Sequence, residues 1–446
     1  MGKVGNFGPA VEQRLLRAPI LLACALCLAQ RVYADPATPA CVAPSSDVTT
    51  SVTIRQAPTT SSGAVGRLSI GQQLPVTGEV PNWIQVTVSP GVSGFVSKRW
   101  TDPIDCQTHA PVTPTTGQAF ELDAIDVGTG LSVFVHGPDF NLLYDAGSND
   151  DMARGEHNRV VNYLRTVFPQ VTKLDHLILS HPHQDHVELM ADVVNTYKPP
   201  DVWDSGADTN ICGYRAFLEA VAATDATYHN ANFNAGDEAH AMIARTCYGT
   251  AEPAHTITLK HGARIDSSQI SLGANARMTF LHVDGDTHSN LNENSLVVRL
   301  ELGKHIVLFM GDGQGGERAD PSSAANPKYV EGKLLACCLD QLRADLLIVG
   351  HHGSMTSSRK ALLDAIGAEI FIVSAGPTQY HGVVLPDQVI IDELTARGTV
   401  WRTDTNDATC KTSTTKIGAT NDGEAGGCSN VRVSVDDSSI RVAMYP

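Results

Sequence analysis

An apolar run that ends in four potential metal ligands dictates most of what this chain can become. Leu177-Ile-Leu-Ser180 has the uninterrupted apolar pattern of a strand covered on both faces, and His181-Pro-His183-Gln-Asp185-His186 begins where it stops. Three imidazoles and a carboxylate so close together cannot all face one way on a strand or a helix, but from a loop they can surround a point. Neutral imidazoles suit zinc, and the carboxylate widens the choice to manganese or iron. His181 and His183 are expected to grip one ion, and Asp185 with His186 a second one nearby.

Around that loop, the segment 119–446 alternates short apolar strands with helical stretches. Strand patterns at 122–127, 132–135, 141–144 and 176–179 come early and in hairpins. Those at 278–283, 295–301, 306–310, 346–349 and 370–373 follow, with helices predicted over 155–167, 187–196, 213–223, 333–343, 358–366 and 386–397. The order predicts an α/β fold in which two sheets pack face to face and helices cover both outer faces, an αββα sandwich.

Residues 47–103 read differently. Strands of four to six residues, separated by glycine and proline turns, predict a small β-barrel. Ile54-Arg55 with Pro58, Trp83 with Val86, and Gly94-Phe95-Val96 fill the slots of the bacterial SH3 pattern, which this segment resembles. That resemblance implies binding, often to cell-wall peptide or glycan. Residues 35–46 and 104–118, rich in Pro, Ala, Thr and Ser, read as linkers.

The C-terminal segment resembles the metallo-β-lactamase superfamily, and within it the branch containing ComEC-type competence proteins. Besides the HxHxDH of 181–186, Asp126-Val-Gly-Thr-Gly130 and Leu143-Tyr-Asp-Ala-Gly147 match its opening strands. Asn292-Glu-Asn-Ser-Leu-Val-Val-Arg-Leu300, Val307-Leu-Phe-Met-Gly-Asp312 and Leu347-Ile-Val-Gly-His351-His-Gly-Ser354 follow in the family's order. The resemblance implies that Asp312 bridges two divalent ions, zinc or else manganese, and that His351 completes the second site. His288, or Asn292 or Asn294 in its stead, would be the third group of the first site. Asp185, His352 and His381 are the candidate catalytic residues, with His352 or His381 as proton donor to the leaving group. Eight cysteines remain after residue 34, an even number that fits an oxidising compartment. Cys41 with Cys106 and Cys410 with Cys428 each flank a compact segment, and Cys337-Cys338 reads as core packing.

Residues 1–34 have the layout of an export signal. Basic residues precede the apolar run 19–29, and Val32-Tyr-Ala34 offers small residues for a cut before Asp35. Cleavage there would leave no stretch long enough to span a bilayer, and a periplasmic or extracellular location is expected. The net charge of −16 becomes −19 without Lys3, Arg14, Arg17, Arg31 and Glu12, which argues against strong non-specific nucleic-acid binding. The expected activity is hydrolysis of a phosphodiester or related ester by a metal-bridging hydroxide, nuclease-like by resemblance. A lactonase or phosphocholine esterase acting on small substrates is the rival enzyme. A cell-wall-binding protein with an inert hydrolase fold is the rival from outside enzymology.

Overall fold

The computed structural model describes residues 41–45, 48, 51–69, 74–89, 92–104, 120–232, 236–322, 327–380, 382–413, 416–417 and 423–445. The segment predicted as an export signal lies outside this set, as does the second linker except for Ile104, which ends the strand Thr101–Ile104. The chain divides into two compact units, 1–106 and 107–446.

The first unit is a single antiparallel sheet of seven short strands, with Val42, Val52, Ile54, Leu68, Ile84, Val86 and Val96 as its core. Every second residue of Trp83–Ser89 points inward, which is why Ile84 and Val86 are buried while the residues between them are not. Gly94 has a steric reason: a Cβ there would lie 2.5 Å from Ile54 and 2.8 Å from Val65. Residues 41–44, read from composition as linker, form the strand Cys41–Pro44, paired with Thr101–Ile104 and with Leu74 and Pro75. Val42 is fully buried, and one apolar side chain in the core outweighs the loop-like composition around it.

The second unit is the expected sandwich. One sheet runs in the order Thr227–His229, Asp201–Trp203, His176–Ile178, Asn141–Tyr144, Val133–His136, Phe120–Ala124, Asn430–Val435, Ile440–Tyr445. The other runs Ile270–Gly273, Ala276–His282, Val297–Leu302, His305–Phe309, Leu346–Ile348, Ile370–Val373, Thr399–Arg402. Leu122, Tyr144 and Ile178 from the first meet Met278, Val298, Phe309 and Ile348 from the second in one inter-sheet core. Helices Arg159–Val167, Met190–Tyr197 and Cys212–Ala222 cover the outer face of the first sheet. Tyr329–Cys337, Lys360–Ile366 and Gln388–Thr395 cover that of the second. Because strands 176–178 and 346–348 are sandwiched between these layers, both faces are apolar and the sequence shows no alternation.

The helix predicted at 333–343 lies instead at Tyr329–Cys337. It stops there because Cys338 leaves helical space (φ −135°) and is disulfide-bonded to Cys337, so this pair is not core packing. Cys212–Cys247 and Cys410–Cys428 are also bonded. Cys106 lies outside the described residues. Among the described residues no helix is long and apolar enough to cross a membrane.

Candidate metal centre

Parallel neighbours gather the site. Asn141–Tyr144 and His176–Ile178 run in parallel, as do His305–Phe309, Leu346–Ile348 and Ile370–Val373. Their C-terminal ends therefore share one edge of the sandwich. Asp145, His181, Asp312, His351, His352 and Ser374 all follow such ends within four residues.

The 181–186 loop is pinned by backbone bonds on both sides. Leu131 N–H donates to the Asp185 carbonyl (3.0 Å), Ala146 N–H to that of His186 (2.9 Å), and Leu189 N–H to that of Ala146 (2.9 Å). Gly147 is dictated by this packing, since a Cβ there would lie 2.2 Å from the His186 nitrogen.

Two sets of ligand atoms result, each gathered within 4.8 Å: His181, His183 and Asp312 in one, Asp185, His186 and His352 in the other. Asp312 stands between them. Its Oδ2 lies 3.7 Å from His181 Nε2, and its Oδ1 lies 3.2 Å from His186 Nε2 and 3.6 Å from His352 Nε2. His352 Nε2 is also 3.4 Å from Asp185 Oδ2. All but His183 are buried to 95% or more, so charge here is little screened.

The sequence expectation gave the last place of the second set to His351, whereas the histidine gathered with Asp185 and His186 is His352. His351 and His352 sit at positive φ (50° and 51°) in a tight turn, which sends consecutive side chains in different directions. His352 Nδ1–H donates to the Ser374 carbonyl (2.8 Å), and this turns Nε2 toward the carboxylates. His351 leans the other way, Nδ1 on Thr356 Oγ1 (2.6 Å) and Nε2 3.8 Å from Asp312. His288 is in neither set; its Nε2 lies 3.1 Å from Asp284. Its intended neighbourhood is filled by Asn292, whose Nδ2 is 3.4 Å from His351 Nε2. Asn294 is occupied with the carbonyls of Asp284 and Asp286. His381 lies outside the described residues.

Two further residues belong to the site and were not singled out from sequence. Asp145 accepts from Ser180 N–H (2.6 Å), Ser180 Oγ–H (2.7 Å) and His186 Nδ1–H (2.8 Å), which fixes the imidazole with Nε2 inward. The signal lies in Leu143-Tyr-Asp-Ala-Gly147, where the sequence pattern marks the strand but not the role of its carboxylate. Tyr380 donates its hydroxyl hydrogen to Asp185 and accepts from Asn149 Nδ2 (2.8 Å).

Burial alone would raise the Asp312 carboxyl, but the imidazoles of His186, His352 and His351 outweigh it and hold it well below the usual range. Burial would likewise depress His186, yet Asp312 and Asp145 lift it well above an ordinary imidazole. His181 is lowered, by burial first and then by His186. Anionic carboxylates thus face imidazoles in a buried pocket. His186 Nε2, His352 Nε2, Asp312 Oδ1 and Asn292 Oδ1 are buried without a hydrogen-bond partner. Orphaned donor atoms converging on one place, of types that bind zinc or manganese, fit divalent cations. The centre opens into a cleft of about 390 Å³ lined by Asn149, His183, Gln184, Asp185, Ile211, Asn292, Asp312, His351 and Tyr380.

This fold and centre define a metallo-hydrolase-like class, and the chain belongs to the metallo-beta-lactamase superfamily, whose family model matches residues 125–376. The bacterial SH3 domain model matches residues 50–102. The chain is similar to recombination protein 2 of Haemophilus influenzae, 23% identical over 257 residues, which is 58% of this chain and 24% of that protein. It thus spans about a quarter of that relative's length. Among solved structures it is similar to the metallo-beta-lactamase fold protein YhfI from Bacillus subtilis (14% identity, 64% of this chain and 97% of that one, TM-score 0.35). It is also similar to CmlA, a diiron beta-hydroxylase from Streptomyces venezuelae (13%, 69% and 54%, TM-score 0.33).

Proposed function

We propose that this chain is an exported, binuclear metal-dependent hydrolase of phosphodiester or related ester bonds. The observation that carries the proposal is the placement of Asp312, one carboxylate oxygen toward each set of ligand atoms. His181 and His183 would hold the first ion, Asp185, His186 and His352 the second, and Asp312 both. Two bound divalent ions would supply an acidified water as nucleophile and neutralise charge that develops on the ester oxygens.

The chain's own groups do the rest. Asp145 and Ser374 orient His186 and His352. Asn292 and Gln314 flank His351 at the mouth, where its imidazole can meet the substrate; in this reading it takes the substrate-side place that sequence gave to His352. Tyr380, steadied by Asn149, presents a hydroxyl to the cleft. Residues 1–34 would direct export, and the unit at 47–103 would attach the protein to envelope peptide or glycan.

The test is hydrolysis of bis-p-nitrophenyl phosphate and of p-nitrophenyl acetate by the full-length protein, before and after EDTA and after return of zinc or manganese. Metal-restored turnover that His183→Ala abolishes is expected. Turnover indifferent to EDTA, or equal in His183→Ala, would refute the proposal.

A further inference from the structure

Beside one wall of the cleft stand several exposed apolar side chains, which we call the shelf. Ile211 lines the cleft, and the residue after it, Cys212, is disulfide-bonded to Cys247 in the hairpin Arg245–Cys247/Thr250–Glu252. Tyr248, at the hairpin's tip, stacks on Arg154, whose guanidinium carbon is 4.3 Å from the ring centre. Arg154 is in turn paired with the buried Glu188 (2.7 Å). Ile243 is fastened to the same wall: its N–H donates to Asn210 Oδ1 (3.4 Å) and its carbonyl accepts from Arg215 (3.3 Å). Met152 touches the cleft residue Gln184, 3.0 Å from its Nε2. Met152, Ile243 and Tyr248 are 46%, 58% and 57% exposed, three of the seven large apolar side chains left open among the described residues.

The charges point the same way. None of the described cleft-lining residues is a lysine or arginine, and of the arginines beside the shelf Arg154 is engaged by Glu188 and Tyr248 and Arg215 by Glu219, while Arg245 lies in the hairpin strand next to Tyr248. A nucleic-acid strand presents a phosphate at each nucleotide and needs cations to track it. Here the phosphates flanking the reacting one would meet apolar side chains on a chain of net charge −16. An uncharged apolar group would instead remove surface from water on both sides.

We infer that the shelf of Met152, Ile211, Ile243 and Tyr248 is the subsite for an apolar, uncharged arm of a small ester substrate. This rests on the hydrolase reading above and narrows its substrate class to esters or diesters with an acyl, alkyl or aryl arm. A fully buried methylene is worth about fourfold in binding, so a shelf that covers one side gives about twofold per methylene.

The test uses metal-loaded full-length protein and two series, p-nitrophenyl carboxylates and alkyl p-nitrophenyl phosphodiesters, with arms of two to eight carbons, and single-stranded DNA beside them. In whichever series turns over, kcat/KM is expected to rise about 60-fold from the shortest arm to the longest. The double variant Ile243→Ser/Tyr248→Ser, at exposed positions, is expected to cut that ratio to below about fivefold. Leu339→Ser, an equally exposed apolar residue outside the cleft, should leave the ratio as it is. A flat series, an unchanged ratio in the double variant, or preference for DNA would overturn the inference while leaving the hydrolase reading intact. No metal-dependent turnover of any ester would overturn both.

Discussion

Asp145→Asn isolates what one carboxylate does for the centre without touching a proposed ligand. Asp145 is fully buried and accepts three hydrogen bonds of 2.6 to 2.8 Å, two from Ser180 and one from His186 Nδ1–H. Asparagine has nearly the same shape but only one acceptor oxygen, so its amide must face either Ser180 or His186 donor to donor. If His186 loses its acceptor, the ring is no longer held with Nε2 toward Asp312. Removing such an orienting partner typically costs 10- to 100-fold in metal affinity, about 1.4 to 2.7 kcal/mol, in line with the loss of one hydrogen bond to a charged group. The effect should be unequal. The ion on the His186 side weakens by that factor, while the other, reached only through the 3.1 Å contact of Ser180 Oγ with His181 Nδ1, changes by less than about fivefold. Competition against a chromophoric chelator reads both constants, and urea unfolding in EDTA separates affinity from folding. Two unchanged constants, or an equal loss at both sites, would refute this account of how His186 is oriented.

Other consequences are as direct. Gly147→Ala places a methyl 2.2 Å from the His186 backbone; urea unfolding is expected to show a loss of about 3 kcal/mol or more, with metal retention impaired. Glu331 is buried, and burial pushes its carboxyl up to about 8 against an ordinary 4.5, even though the Arg359 and Ser358 N–H groups favour the charged form. The folded chain therefore holds this proton more tightly than the unfolded one, so its stabilising share is present below about pH 4.5 and lost as pH rises through about 8. Relative to Glu331→Gln, the wild-type chain should lose on the order of 5 kcal/mol between pH 4.5 and 9, read by urea unfolding at each pH; a pH-independent difference would contradict this.

Much of this was legible because strand ends and ligand chemistry are local in sequence. The run 177–186 carries its own strand, its loop and four ligands, and the apolar strands at 307–309 and 346–348 announce the turns that bear Asp312 and the two histidines. What escaped depends on directions that sequence does not carry. Choosing between His351 and His352 requires two consecutive left-handed residues and the Ser374 carbonyl, which comes from another strand. His288 met the spacing but not the geometry, because Asp284, four residues earlier, holds it. Cys247, the partner of Cys212, and the hairpin that carries it lie in a stretch of short, polar, exposed strands whose burial pattern is too weak to read as periodicity. Cys41–Pro44 was hidden because its partners are 32 to 63 residues away.

The central claim is that Asp312 is shared by two bound cations. Elemental analysis of full-length protein purified without chelator, beside Asp312→Asn, tests it most directly. The account predicts about two divalent ions per chain in the wild type and at most about one in the variant, with the fold intact by circular dichroism. A wild-type protein that binds no divalent ion, or a variant that keeps both at undiminished affinity, would contradict it.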